Sequence, residues 1–436
     1  MSDTPAPGAP RPAAPTPGAP TPSDRTLGDG LRGPSTRAVH AGEHRPPPPR
    51  RTTAVPIYQT APFTFDSTAE LTAAFSAPGR AALYSRYENP TVRSLEEKVA
   101  ALEGAEDAVA FASGMGAIAA TLGTLLASGD RLLAAADLYG GTDGWLGWLA
   151  AHHPEVAVER APAGELPARL EALAARTGGG GDEGAAPAVV YVETPSNPLL
   201  VCCDLPRLAA ACRRLGERRG RPVRLVVDGT FAPPPVQQAL ALGADVVIHS
   251  ATKFLAGHSD VTAGLAAGDA ATLEALRRTM IVTGACLDPH AAFLVARGIK
   301  TLALRMARQA DNAERLARLL AAHPAVARVH WPGFDPVGRA QMASGGAMLA
   351  FELAGGAPAA RVLVDALSVF HIIPSLGGVE SGVVLPAETS HRGLTPAQRA
   401  ERGIADGLVR VSCGIEDGDD LAADVAAALA VVEAGA

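Results

Sequence analysis

The 436-residue sequence is poor in cysteine and lacks any long basic run. Its five cysteines include the adjacent pair Cys202 and Cys203, and no CxxC occurs. That excludes a disulfide scaffold and a cysteine zinc site, and reads as a reduced, cytoplasmic chain. The charge balance, 38 Lys+Arg against 45 Asp+Glu for a net -7, argues against non-specific nucleic-acid binding. The N-terminus has no apolar core of the signal-peptide type. His249, His258, His290 and His371 are scattered and none of them belongs to an HxxxH, so no metal site is expected. No solenoid-type repeat is found. The uncharged run 108–129 has the length of a membrane span, at 22 residues. It is mostly Ala and Gly, with Ser113, Thr121, Thr124 and Ser128 interspersed, and reads instead as a buried strand, turn and helix.

What the chain does have is 47% apolar residues, enough for a sizeable core in two or three domains. Residues 1–34 form a Pro/Ala-rich tail that buries almost nothing and is expected to be disordered, with a Pro-rich partner-binding segment as the alternative. Pro46 to Pro49 mark an extended arm or loop, and RTGGGGDEGAAP (176–187) a flexible surface insertion. ENPTVRSLEEKVAALEG predicts a helix with Thr91 as candidate cap. The apolar runs 108–111, 131–135, 188–193, 224–228 and 245–250 alternate with helical segments. This predicts an α/β fold with a mostly parallel sheet and helices on both faces. After about residue 290 one or two long helices, strands at 347–353 and 408–413 and a closing helix predict a smaller C-terminal α+β domain.

Ligands in such sheets bind beyond the carboxyl ends of the strands. Each apolar run here is followed by a polar cluster: Ser113-Gly114-Met115-Gly116, Asp137 to Thr142, Thr194 to Pro198, Asp228, and Ser250-Ala251-Thr252-Lys253. Ser113 to Gly116 at a helix start offers free N–H groups and a positive dipole end, a seat for phosphate, or else a plain tight turn. Asp228 ends a buried run, where a carboxylate needs a cation or strong donor unless it simply caps a turn. Lys253 is either a solvated loop lysine or, desolvated, a Schiff-base amine. An anion seat, a buried acid, a lysine and an aromatic residue, Tyr139, are together what pyridoxal phosphate (PLP) requires.

YSRYENPT (84–91), FASGMGAI (111–118), DLYGGT (137–142), ETPSNP (193–198), HSATKFLAGHSDVTAG (249–264) and SLGGVES (375–381) closely resemble the Cys/Met-metabolism family of PLP enzymes, which includes cystathionine γ-lyase, cystathionine γ-synthase and methionine γ-lyase. The resemblance runs from about residue 35 to the C-terminus. It implies the fold type I architecture of PLP-dependent transferases, with a PLP-binding large domain at 91–295, a C-terminal domain at 296–436, and an arm at 35–90 that contributes to the neighbouring subunit's active site. Lys253 would hold the cofactor as an internal aldimine and shuttle protons. Asp228 would pair with the ring nitrogen, and Tyr139 would stack on the ring. Gly114, Met115, Ser250 and Thr252 would bind the phosphate, joined by Tyr84 and Arg86 from the neighbouring subunit, so that the working unit is a homodimer or, as is common in this family, a homotetramer. Asn197 would sit near the cofactor and the substrate carboxylate, Arg410 would clamp that carboxylate, and Ser375 would line the substrate pocket.

The activity so implied is γ-elimination on an L-amino acid with a leaving group at Cγ, as in cystathionine γ-lyase. The alternatives are γ-replacement, an unusual substrate such as a halogenated amino acid, β-elimination, or PLP binding without turnover. Glu88, Gly229, Pro374 and the segment 387–391 depart from the family's usual residues. Most of these departures are expected on the substrate side of the site, with cofactor binding unaffected.

Overall fold

The structure is a computed structural model that describes residues 33–43, 52–76, 82–176 and 186–435. The expected tail, apart from its last two residues, the Pro46–Pro49 cluster and nearly all of the Gly-rich insertion lie outside the described residues. Pro34 opens a helix, Pro34–His40.

Among the described residues, seven strands form the larger sheet: β1 (Asp107–Phe111), β2 (Arg131–Ala135), β3 (Ala157–Ala161), β4 (Val189–Glu193), β5 (Arg224–Asp228), β6 (Val246–His249) and β7 (Gly264–Gly268). Their order is β1-β7-β6-β5-β4-β2-β3. Only β7 runs against the others, between β1 and β6. The strands expected from sequence are those of nearly continuous Val, Leu and Ala, the pattern of a sheet covered on both faces. β4 and β6 are buried at every position. β3 and β7 were not anticipated: β3 carries two charges in AVERA, and β7 is the small-residue run GLAAG.

A second sheet contains β8 (Val326–His330), β9 (Met348–Leu353), β10 (His371–Ile372), β11 (Gly382–Val384) and β12 (Leu408–Ser412), in the order β10-β11-β12-β9-β8. Two helices, Pro289–Ile299 and Leu302–Ala321, lead into it, and Gly418–Ala434 closes the chain. The amphipathic helix Leu302–Ala321 buries Leu316 and Leu320 in the same core as Leu349, Phe351, Val409 and Val411. No helix among the described residues is long and apolar enough to cross a membrane.

Two helices that position the site have well-defined starts. Pro90–Glu103 is capped by Asn89, whose side chain accepts the Thr91 N–H at 2.9 Å, and not by Thr91 as expected. Pro90 at the first helical position makes Asn89 the cap, because proline needs no donor partner there. The Thr91 hydroxyl instead accepts the Tyr58 N–H at 2.9 Å and donates to the Pro56 carbonyl at 2.8 Å, tying the preceding segment to the helix.

A buried ion network then fixes β1. Glu96 is 2% exposed and accepts the Ala110 N–H from β1 at 2.9 Å. It also takes two hydrogen bonds from Arg277 Nη1, at 2.8 and 3.0 Å. Arg277 in turn donates to Asp107 at 3.1 Å and to the Ala108 carbonyl at 2.9 Å. One carboxylate thus joins two helices to the strand that carries the Ser113 turn. Glu96→Ala would take from the buried Arg277 the carboxylate that its Nη1 faces and leave it Asp107 alone, and breaking a buried pair in this way costs about 3–5 kcal/mol. A drop of that size is expected in chemical-denaturant unfolding, and a shift below 1 kcal/mol would show that the network contributes little.

Candidate active site

β1, β2, β4, β5 and β6 all point their carboxyl ends the same way, so the clusters that follow them share one edge of the sheet. There they line a cavity of about 650 Å³, within the usual size range of small-molecule sites. Gly114, Met115, Tyr139, Asn197, Asp228, Ser250, Thr252, Lys253 and Arg410 all line it.

At the anion end, the helix Gly114–Leu125 begins at Ser113, whose hydroxyl accepts the Gly116 N–H at 3.0 Å. That cap leaves the Gly114 and Met115 N–H groups at the helix start facing the cavity, with the positive end of the helix dipole behind them. A Cβ at Gly114 would lie 2.8 Å from the Ser250 Cβ, so only glycine lets the helix start and the Ser250 turn close around one small anion.

Asp228 closes β5 and is 9% exposed. Its Oδ1 accepts the Thr230 N–H at 2.9 Å and its Oδ2 faces the Tyr191 hydroxyl at 3.4 Å. Burial raises its pKa, opposed by the Thr230 donors and by His249. Behind it His249 Nε2 meets Glu103 Oε1 at 2.5 Å, both side chains buried.

Lys253 Nζ donates to Ser375 Oγ at 2.8 Å. Gly377, at φ +82°, lets that loop press on the lysine: a Cβ there would sit 2.7 Å from the Phe254 nitrogen. Burial, and secondly the Arg410 charge, lower the Lys253 pKa. Arg410, 5% exposed on β12, donates to Asn197 Oδ1 at 2.8 Å. Burial pushes its pKa down to about 10.

Two expected residues are not brought to this chain's cavity. Tyr84 is 41% exposed, and Arg86 lies near the Tyr84 and Tyr87 rings and donates to the Ile281 carbonyl at 2.8 Å. Ser375 reaches the site through Lys253. Sequence reasoning assigned no role to Glu193, Tyr191, Thr230 or the mouth residue Arg392, while the mouth residues Glu388, Thr389 and Ser390 fall in the segment 387–391 expected on the substrate side. All but Tyr191 line the cavity.

The residues present fit PLP: a glycine-lined anion seat with two free N–H groups, a buried acid, a half-exposed tyrosine and a desolvated lysine meet in one cavity. The family model described as Cys/Met metabolism PLP-dependent enzyme matches residues 35–430. The chain belongs to that family. Its cofactor is PLP. An L-methionine gamma-lyase of Pseudomonas putida is 42% identical over 410 residues, covering 92% of this chain and 98% of that protein. The crystal structure of a cystathionine gamma synthase from Xanthomonas oryzae pv. oryzae superposes with TM-score 0.84 at 36% identity, covering 93% of this chain and all of that one. That of a cystathionine gamma lyase from Micromonospora echinospora gives 0.80 at 39%, covering 92% of this chain and all of that one.

The departures from the family pattern fall in two groups. Pro374, Glu388, Thr389 and Ser390 do line the cavity. Glu88 instead lies by Arg93, Arg277 and Glu96, where burial raises its pKa. Gly229 lies behind Asp228, where a Cβ would be 2.9 Å from His249 Cε1 and 3.3 Å from Val247 Cγ2. Glycine there gives the His249 ring its room beside Glu103. Gly229→Asn, the family's usual residue, should displace that ring and weaken the pair, with a loss of about 1–3 kcal/mol by the general scale for overpacking. Thermal unfolding of the variant beside the parent measures this, and an unchanged midpoint would mean that the ring moves freely.

Proposed function

We propose that the enzyme catalyses γ-elimination on an L-amino acid carrying a sulfur leaving group at Cγ, releasing a thiol, a 2-oxo acid and ammonia. The observation that carries this is the convergence of Lys253, Arg410, Asp228 and Tyr139 on one cavity. The extensive likeness to a methionine gamma-lyase favours elimination. γ-Replacement by a second thiol is the runner-up, favoured by the likeness to a cystathionine gamma synthase structure.

In this reading Arg410 turns from Asn197 to grip the substrate α-carboxylate with two parallel donors. PLP, when bound, supplies the electron sink that stabilises negative charge at Cα. Asp228, held anionic, would pair with the ring nitrogen and maintain that sink. Lys253 Nζ takes the Cα proton. An amine of ordinary pKa, about 10.4, is almost wholly protonated at neutral pH, and burial with the Arg410 charge shifts Lys253 toward the free base. Lys253 would pass that proton on to the bound cofactor, and the amine, neutral again, takes a proton from Cβ, which allows the Cγ–S bond to break. The Tyr139 hydroxyl protonates the departing sulfur. Water completes the reaction. Glu388, Thr389 and Arg392 at the cavity mouth are exposed and give it access.

We read residues 91–295 as the cofactor-binding domain and 296–436 as the domain that supplies Ser375 and Arg410. Residues 35–90 we read as an arm whose Tyr84 and Arg86 complete the phosphate site of a second copy in a homodimer or tetramer.

Product analysis by mass spectrometry, with L-methionine or L-cystathionine as sole substrate, should give 2-oxobutanoate and the thiol, and Lys253→Ala should abolish it. Product formed only when an O-acylhomoserine and a thiol are both supplied would establish replacement instead. The shared site makes a separate prediction. Lys253→Ala and Arg86→Ala chains, each impaired alone, should regain up to about a quarter of parental activity when co-expressed, because half of random dimers would carry one intact site of two. No recovery would confine Arg86 to its own chain.

A further inference from the structure

Glu193 is buried, touches the site and takes no part in the mechanism above. It closes β4 and lies in register directly across from Asp228 on β5. Residues so paired on neighbouring parallel strands share a face, with the strands about 4.8 Å apart. Glu193 is 6% exposed and Asp228 9%, so two carboxyl groups sit side by side in the interior. No lysine or arginine hydrogen-bonds to either one among the described residues. Two such groups do not both ionise, and one retains its proton. The donors decide which one. Asp228 has the Thr230 N–H, the Tyr191 hydroxyl and the nearby His249. Around Glu193 the further charged groups are Asp228 and Asp137, both acids, and burial together with Asp228 raises its pKa well above the usual carboxylate value. Its Oε1 makes no full hydrogen bond, and the nearby Thr142 hydroxyl and the Tyr139 N–H oppose that rise only in part.

The other oxygen has a definite task. Glu193 Oε2 accepts the main-chain N–H of Tyr139 at 2.8 Å. Tyr139 is the residue from which the helix Gly140–His152 starts, and no side chain caps that start. The tyrosine ring lies over Gly141, where a Cβ would come 2.4 Å from its Cε1. The chain direction at Tyr139 therefore sets where the ring goes, and Glu193 holds that chain.

We propose that Glu193 is a positioning residue for the reaction: it anchors the main chain of Tyr139 at the cavity and shares one negative charge with Asp228, which keeps the anion on the aspartate. The proposal rests on the reading of Tyr139 and Asp228 given under Proposed function. Its requirement is an acceptor oxygen at a fixed reach, with no need for a charge. Glu193→Gln keeps the reach and the acceptor and is always neutral, whereas Glu193→Asp keeps the acid and withdraws it by one methylene.

The test uses the PLP-loaded enzyme and reads kcat, KM and the visible absorption and circular dichroism of the bound cofactor. Glu193→Gln should retain the parental cofactor spectra and lose less than about threefold in kcat. Glu193→Asp should change the circular dichroism of the cofactor and lose about 10- to 100-fold in kcat with KM little altered, the scale of effect for a displaced catalytic group. The ranking Gln above Asp supports the proposal. Asp equal to or above Gln overturns it, as does an Asp variant with parental spectra and rate. If Glu193→Asp fails to fold, the Gln variant alone decides: a loss beyond about 30-fold in kcat, on the same scale, would show that the negative charge is needed and sink the idea. The underlying reading fails separately, through a parent enzyme that shows no cofactor band or keeps its activity with Lys253→Ala.

Discussion

The sheet edge is arranged around one buried carboxylate, which on the proposed reading must stay ionised. Asp228 sits at the end of a central strand, and an isolated buried carboxylate would take up a proton rather than stay charged. The fold opposes that with the Thr230 N–H, the Tyr191 hydroxyl and the His249 ring, which is backed by Glu103. Thr230 comes from the turn after β5, Tyr191 from the middle of β4 and His249 from the end of β6, so the sheet sets their directions. The glycine at 229 belongs to the same arrangement, because the ring behind the acid occupies space that a side chain there would contest.

The two ends of the cavity are built by different sheets. Strands β1, β5 and β6 supply the anion seat, the acid and the lysine. The smaller sheet supplies Arg410 from β12, and the loop between β10 and β11 supplies Ser375. Lys253 stands where the two meet, bonded to Ser375 and close enough to Arg410 to feel its charge. On the proposed reading a substrate held by Arg410 would be presented to the amine by one sheet while the other held the cofactor. Gly377 is the contact point that allows this, since any side chain there would push the Ser375 loop off the Lys253 main chain.

How much of this could be read from the sequence depended on whether the signal was local. β2 and β5 lie at the expected positions and β4 and β6 within a residue of them, because continuous apolar runs mark doubly covered strands. The polar residues that follow them were legible for the same reason. β7 was missed because GLAAG lacks the branched residues that signal a strand, and β3 because it is an edge strand with two charges. Asn89 and Thr91 are both good caps, and only Pro90 between them decides. Glu193 stood inside a recognised motif, yet its importance comes from its register with Asp228 and its bond to Tyr139, 54 residues away. No local pattern encodes either.

The departures from the family pattern follow the same division. Glu88 lies close enough to Arg93, Arg277 and Glu96 to feel their charges, away from the cavity lining. Gly229 acts behind the acid. Only Pro374 and the segment around Glu388 to Ser390 face the space where a leaving group would lie. There Pro374, Leu376 and Val384 form an apolar wall, while Glu388 and Arg392 stand at the mouth. An apolar wall close to the lysine with charges only at the rim suits a thioether whose sulfur substituent is short, or one long enough to carry its own charges out to the rim. A leaving group with a charge one or two bonds from sulfur would leave that charge against Pro374 and Leu376 without a partner, at the cost of desolvating it. On the proposed reading the substrate side would select on where charge lies along the side chain, and the cofactor side would be indifferent to it.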